Sequence, residues 1–172
     1  MSQIIGVIPI LATPFNKNGD INFKDYEKEC EFLINSDVNG IGLALGSEIF
    51  KLDFEEKEKL IKILYKSIHQ SKKNINIIVN TGTSNMNETI RLSKQAQDLG
   101  ADGLMVMPPN LITLNDSEIM QYYETISDNI PLPIVMQDIP GASLSNNLIV
   151  NLANDIEYCR YVKLEVPPTP LK

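Results

Sequence analysis

The chain has no tryptophan, one histidine and two cysteines in 172 residues, and each scarcity removes a class of chemistry. The lone His69 sits on a polar stretch near the end of a predicted helix. A surface place at a helix C-terminus is the default for such a residue, so neither a Ser-His-Asp constellation nor a histidine-metal set is supported. Cys30 and Cys159 lie far apart in apolar contexts without paired spacing. They read as reduced buried thiols, which points to a cytoplasmic protein and away from a disulfide or metal framework. No carboxylate–histidine cluster with metal spacing is present, so no metal site is expected. No apolar run approaches the roughly 18 residues of a membrane span, and no basic flank or small-residue cleavage pattern marks a signal peptide. Acidic residues outnumber basic ones by 22 to 15, a net charge of -7. That balance argues against nucleic acid and against an anionic membrane surface as partners.

What is present is ordinary globular composition, 43% hydrophobic and 22% charged, at a length suited to one domain. Ile4 to Leu11 is a near-continuous apolar run, as in a strand buried on both faces, followed by a turn-rich loop through Asp20. Phe23 to Asn35 has helical spacing, with Phe23, Tyr26, Cys30, Leu33 and Ile34 on one stripe. Gly40 to Leu45 predicts the next strand. Asp53 and Glu56 form a capping box ahead of a helix whose buried face is Leu60, Ile61, Leu64 and Ile68. Ile75 to Asn80 predicts a third strand, and Asn85 with Glu88 starts a helix that glycine ends at Gly100. Leu104 to Met107, the stretch from Pro131 to Asp138, and Cys159 to Leu164 supply three more strands. Between them come a helix capped by Asn115 and Glu118 and a short helix from Asn146 to Asn154.

Six strands alternating with helices mean a parallel sheet, because each parallel crossover needs a helix. A doubly wound open sheet and a (β/α)8 barrel both fit. The absence of a Gly-rich phosphate loop weakens the open-sheet nucleotide binders. A faint echo between Val38 to Gly42 and Ala101 to Met105 favours repeated equivalent units. The fold class read from the chain is therefore α/β, a TIM (β/α)8 barrel that is incomplete, with about six βα units present. Thr169 followed by Pro170 has the pattern of an N-cap and a first helical residue. A barrel typically needs about 250 residues, so residues 1–172 read as the N-terminal two thirds of one barrel domain: a fragment, an incomplete gene product or part of a split barrel.

In either architecture the site forms at the carboxyl ends of the strands. Those ends carry Thr13, Gly46, Ser47, Glu48, Thr81, Asn110, Gln137, Asp138, Lys163 and Glu165. Alternation on the last strand puts Tyr161, Lys163 and Glu165 on one face. A lysine on an interior strand is desolvated, which favours its free amine and suits Schiff-base chemistry. Its bland reading is a strand-end lysine reaching solvent. Glu165 is read equally as a proton shuttle or as a partner that neutralises the lysine. Glu48 is read mainly as a loop residue bonding backbone amides.

These residues carry a resemblance. The stretch from Gly6 through Ala12 to Phe15, the loop ending in Glu48 with Leu52 and Glu56 behind it, and Pro108 with Pro109 recur in order. So do Asp138-Ile-Pro140 and the strand-six Lys163 with Glu165 two residues on. Together the chain resembles the dihydrodipicolinate synthase and N-acetylneuraminate lyase family of class I, Schiff-base-forming aldolases. The resemblance implies a TIM barrel in which Lys163 forms an imine with pyruvate or another 2-oxo (sugar) acid. It implies no cofactor beyond that covalent imine, and a homo-oligomeric enzyme.

The departures from the family pattern are specific. The family's adjacent threonines fall on Leu45 and Gly46, and Ser47 stands in place of a glycine. Backbone N–H groups at Gly46 and Ser47 can still hold a carboxylate, with help from the Ser47 hydroxyl. The family's proton-relaying tyrosine aligns with Gln137, whose amide cannot carry a proton near neutral pH. A second tyrosine position aligns with Asn110. The candidate catalytic set is thus Lys163, Glu165 and Gln137, and the candidate substrate-binding set is Gly46, Ser47, Thr13, Asn110 and Asp138. The expected function is aldol cleavage or condensation, or dehydration, of a 2-oxo acid. The other reading is an inactive or merely 2-oxo-acid-binding remnant of such a barrel.

Overall fold

The computed structural model describes residues 3–168. The expectation of a helix start at Thr169 and Pro170 lies outside them. Five helices alternate with five strands: α1 (Phe23–Asn35), β1 (Gly40–Leu43), α2 (Phe54–Ser71), β2 (Asn76–Asn80), α3 (Met86–Asp98), β3 (Gly103–Val106), α4 (Asp116–Asn129), β4 (Ile134–Asp138), α5 (Asn146–Asp155) and β5 (Cys159–Leu164). The chain forms two compact units, one of residues 3–80 and 95–102, the other of residues 81–94 and 103–168.

In the first unit β1 and β2 pair in parallel, with Gly40 opposite Asn76 and Leu43 opposite Val79. Every residue of β1 is buried, as a strand covered on both faces requires. Helix α1 packs on α2 through its apolar stripe, where the Tyr26 hydroxyl donates to Leu60 O at 3.3 Å and the Lys59 ammonium lies 3.5 Å over the Phe23 ring. The α2 capping box forms in both directions, Glu56 N–H to Asp53 Oδ1 at 2.8 Å and Asp53 N–H to Glu56 Oε2 at 3.0 Å. It satisfies two backbone donors that a helix start otherwise leaves open. His69 is exposed in the last turn of α2, its ring stacked on Tyr65. Gly100, at φ +89°, follows α3 in the left-handed conformation that glycine adopts without a side-chain penalty.

The first predicted strand is corrected. Ile4 to Leu11 does not form a strand but runs beside β1 with one isolated parallel bridge, Ile10 to Gly42. The ladder fails for identifiable reasons. Pro9 has no N–H to give, and the Val7 N–H is taken by the Asn39 side chain at 2.9 Å. What survives are Gly40 N–H to Val7 O at 3.3 Å, and Gly42 N–H to Pro9 O and Leu11 N–H to Gly42 O, each at 2.9 Å. Nor is the segment buried on both faces, since Ile5 and Val7 are 56% and 66% exposed. Five strands rather than six therefore stand among the described residues.

In the second unit β3 pairs with β4 and β4 with β5, both in parallel. A register shift between Ile134 and Val135 brings Gln137 opposite Lys163 and Asp138 opposite Leu164. β3 and β4 are buried throughout, and α4 closes over them with the Tyr123 hydroxyl donating to Val106 O at 2.8 Å. Cys30 and Cys159 are free and buried, and burial pushes both thiols up to about 12.

Candidate active site

β5 ends where its alternation puts Lys163 beside the end of β4, and the chain continues straight into Glu165, whose N–H donates to Asp138 O at 2.8 Å. That backbone bond fixes where the Glu165 side chain departs. One carboxylate oxygen, Oε1, pairs with Lys163 Nζ. The other, Oε2, accepts from the Gln137 side-chain amide at 2.9 Å. A carboxylate can only accept here, so the amide nitrogen of Gln137, not its oxygen, faces Glu165. Lys163, Glu165 and Gln137 thus form one continuous polar chain at the carboxyl ends of two adjacent parallel strands, where α/β folds build their sites.

Burial across this chain is graded. Gln137 is 1% exposed, while the Lys163 and Glu165 side chains are 32% and 37% exposed. The expectation of a buried final strand is corrected accordingly, since Tyr161 to Leu164 are half-buried and only Cys159 is fully enclosed. An ion pair this open contributes on the order of 0.2–1 kcal/mol to stability, so its consequence is geometric: it places a carboxylate beside the lysine nitrogen. Asp138 is fully buried, and its Oδ1 accepts the Leu144 N–H at 2.8 Å. Its side chain therefore ties down the loop after β4, in which Ala142 N–H also returns to Ile139 O at 3.0 Å.

Asn110 is exposed in the loop after β3. It lines a groove of about 280 Å³ with Pro108, Pro109 and Gly141, and none of Lys163, Glu165 and Gln137 is among the lining residues. The larger cleft, about 580 Å³ between the end of α2 and the start of β2, also holds none of the expected site residues.

In the first unit Thr13 and Ser47 meet. The Thr13 hydroxyl donates to Ser47 O at 2.7 Å, and the Ser47 hydroxyl donates to Leu11 O while accepting the Ala44 N–H at 3.2 Å. The Ser47 N–H is itself given to Ala44 O at 2.9 Å. Both side chains are buried, at 9% and 0% exposure, and they lash the loop after β1 to the segment ending in Leu11. Gly46, in the same turn, is exposed. The loop consists of two consecutive 3-10 turns, Leu45–Ser47 and Ile49–Lys51. Glu48 joins them at φ +55° and pairs with Lys51 at 2.9 Å, rather than with backbone amides.

A hydroxyl cluster escaped the sequence reading. Tyr122, on α4, donates to Thr83 O at 2.9 Å and lies 3.1 Å from the Thr89 hydroxyl. Ser93 donates to Thr81 at 2.8 Å. These bonds anchor the loop after β2, and helical spacing reports only that Tyr122 faces inward, not which hydroxyl it meets. Among the described residues no group of three or more His, Cys, Asp or Glu is disposed to hold a metal ion, and no helix is long and apolar enough to cross a membrane.

The chain matches known proteins along nearly all of its length. The model of the dihydrodipicolinate synthetase family matches residues 3–164. The 4-hydroxy-tetrahydrodipicolinate synthase of Staphylococcus haemolyticus is 30% identical over 177 residues, covering 94% of this chain and 59% of that protein. The L-2-keto-3-deoxyarabonate dehydratase of Azospirillum brasilense is 29% identical over 168 residues, covering 94% and 53%. Among solved structures, the chloride-inhibited dihydrodipicolinate synthase of Acinetobacter baumannii, complexed with pyruvate, superposes with a TM-score of 0.87 at 32% identity, covering 94% of this chain and 55% of that one. The chain therefore spans between half and three fifths of the length of these relatives.

Proposed function

The chain belongs to the dihydrodipicolinate synthetase family, and from that premise we propose that it serves a Schiff-base-forming lyase of 2-oxo acids, with Lys163 as the covalent residue. The accompanying fold proposal is a (β/α)8 barrel of which this chain carries part. The observation that carries the reading is the Glu165 carboxylate paired with Lys163 Nζ at the ends of β4 and β5, with the Gln137 amide on its other oxygen. The relatives' names span a synthase and a dehydratase, so the family supports lyase chemistry on 2-oxo acids as a class.

The Lys163 ammonium passes a proton to Glu165, and the free amine attacks the C2 ketone. The carbonyl oxygen leaves as water with one proton from the nitrogen and one from the carboxylic acid, giving an iminium ion. The Glu165 carboxylate then removes a C3 proton, and the electron pair flows into the iminium to form an enamine. With a hydroxyl on C4, the protonated Glu165 returns its proton as water leaves. Without one, the enamine is the nucleophile for carbon–carbon bond formation. A positioned acid–base group of this kind is worth roughly 10²–10⁴ in rate. The iminium is the electron sink, so the proposal assigns no cofactor. Thr13 and Ser47 are assigned to holding their loop, and Gly46 to the substrate-binding role that the family resemblance gives this turn.

The chain's span of just over half its relatives favours a second reading, a piece that binds a 2-oxo acid or nothing and turns nothing over. One experiment separates the two: borohydride reduction in the presence of pyruvate, then peptide mass spectrometry. A reduced pyruvyl group on Lys163 supports the lyase reading, and an unmodified Lys163 in folded protein sinks it.

A further inference from the structure

Glu165 is more exposed than a precisely aimed acid–base group should be, at 37% of its side chain. A surface glutamate on a loop samples several rotamers, and a carboxylate that swings away from Lys163 cannot serve the C3 carbon bonded to its imine. Something must hold it. We propose that Gln137 is a positioning residue for the Schiff-base reaction: its buried amide grips Glu165 Oε2 and so keeps Oε1 on Lys163 Nζ.

Three observations carry this. Gln137 is 1% exposed on a strand whose residues are all buried, so its own side chain has little freedom to lose. It lies in register with Lys163 across the β4–β5 pair, which sets the two side chains on the same rung. Its Nε2 reaches Glu165 at 2.9 Å while Lys163 occupies the other oxygen, so the carboxylate is bound at both ends. An uncharged donor suits this task. It orders the carboxylate without competing for the proton, whereas a side chain that itself titrates would share that proton. Gln137 does not touch the reacting atoms. It acts through Glu165.

The inference rests on the proposed lyase reading, and its test separates the two. Two quantities are measured on the whole chain with pyruvate: the yield of borohydride-trapped adduct on Lys163, and the rate of deuterium exchange into the C3 methyl group by NMR. The first reports imine formation, the second proton transfer by Glu165. In Gln137→Met, close in size but without the donor, trapping stays within about twofold of wild type while exchange falls roughly tenfold or more, as loss of a transition-state interaction alone requires. Gln137→Glu, isosteric and repelling Glu165, lowers exchange further and guards against a packing effect peculiar to methionine. Unchanged exchange in both variants overturns the proposal. A parallel fall of trapping and exchange in folded variants also overturns it, because Gln137 would then be merely structural. If wild type forms no adduct on Lys163, the lyase reading itself has failed, and the positioning role falls with it.

Discussion

Replacing Asp138 by alanine should destabilise the protein far more than replacing it by asparagine. The carboxylate is completely buried and accepts the Leu144 N–H at 2.8 Å, and Leu144 is itself fully buried. Alanine removes a charge-assisted bond worth about 1.5–3 kcal/mol and takes from a buried amide the acceptor it was folded around. A small cavity adds to the loss, so the cost is on the order of 2–4 kcal/mol. Asparagine keeps an oxygen in the acceptor position and should cost about 1 kcal/mol. The assay is urea unfolding of wild type and both variants, with the midpoint falling and the slope m unchanged. The loop after β4 should also loosen, because the Asp138 side chain is what ties the Leu144 N–H to the end of the strand. If alanine and asparagine both lie within about 0.5 kcal/mol of wild type, the structural role argued for Asp138 is wrong.

Two further perturbations address other parts of the molecule. Asp102 is half-buried, and desolvation holds its carboxyl above the usual carboxylate range against the smaller opposing effect of its bond to the Ile77 N–H. The native state then binds this proton more tightly than the unfolded state, so the residue's contribution to stability falls as pH rises from the usual carboxylate range through the raised native value. Asp102→Asn should flatten that part of the stability–pH curve, measured by urea midpoints, and an unchanged curve would contradict the assignment. Gly82 has no room for a side chain, since a Cβ would lie 2.7 Å from both the N and the O of Met107. Gly82→Ala should therefore cost about 1–3 kcal/mol in thermal or urea unfolding, and a neutral result would mean that the loop after β2 can move aside.

Local signals made much of this molecule legible. The apolar stripe from Phe23 to Asn35 and the last strand from Cys159 to Leu164 have the boundaries their patterns predict. The Asp53–Glu56 and Asn115–Glu118 pairs form full capping boxes. These features depend on neighbours three or four residues away. What the pattern concealed depends on distant partners or on single atoms. Ile4 to Leu11 has strand composition, yet Pro9 and the Asn39 side chain interrupt its ladder. Ser47 looked like a hydroxyl available to a ligand, but its partners Leu11 and Ala44 come from a different stretch and from its own turn. The shared face of Lys163 and Glu165 follows from alternation alone. The bond from Gln137, 28 residues upstream, follows only from the β4–β5 register and its shift at Ile134. The sequence comparison marked Gln137 as a missing tyrosine, and the structure gives it a partner.

The most direct test of the central claim is the mass of the Lys163 peptide after incubation with pyruvate and borohydride. The expected product is a reduced pyruvyl group on Lys163, absent when borohydride is omitted and absent in Lys163→Arg, which retains charge but offers no amine for an imine. Folded protein that carries no adduct, or carries it on surface lysines to the same extent as on Lys163, would contradict the account.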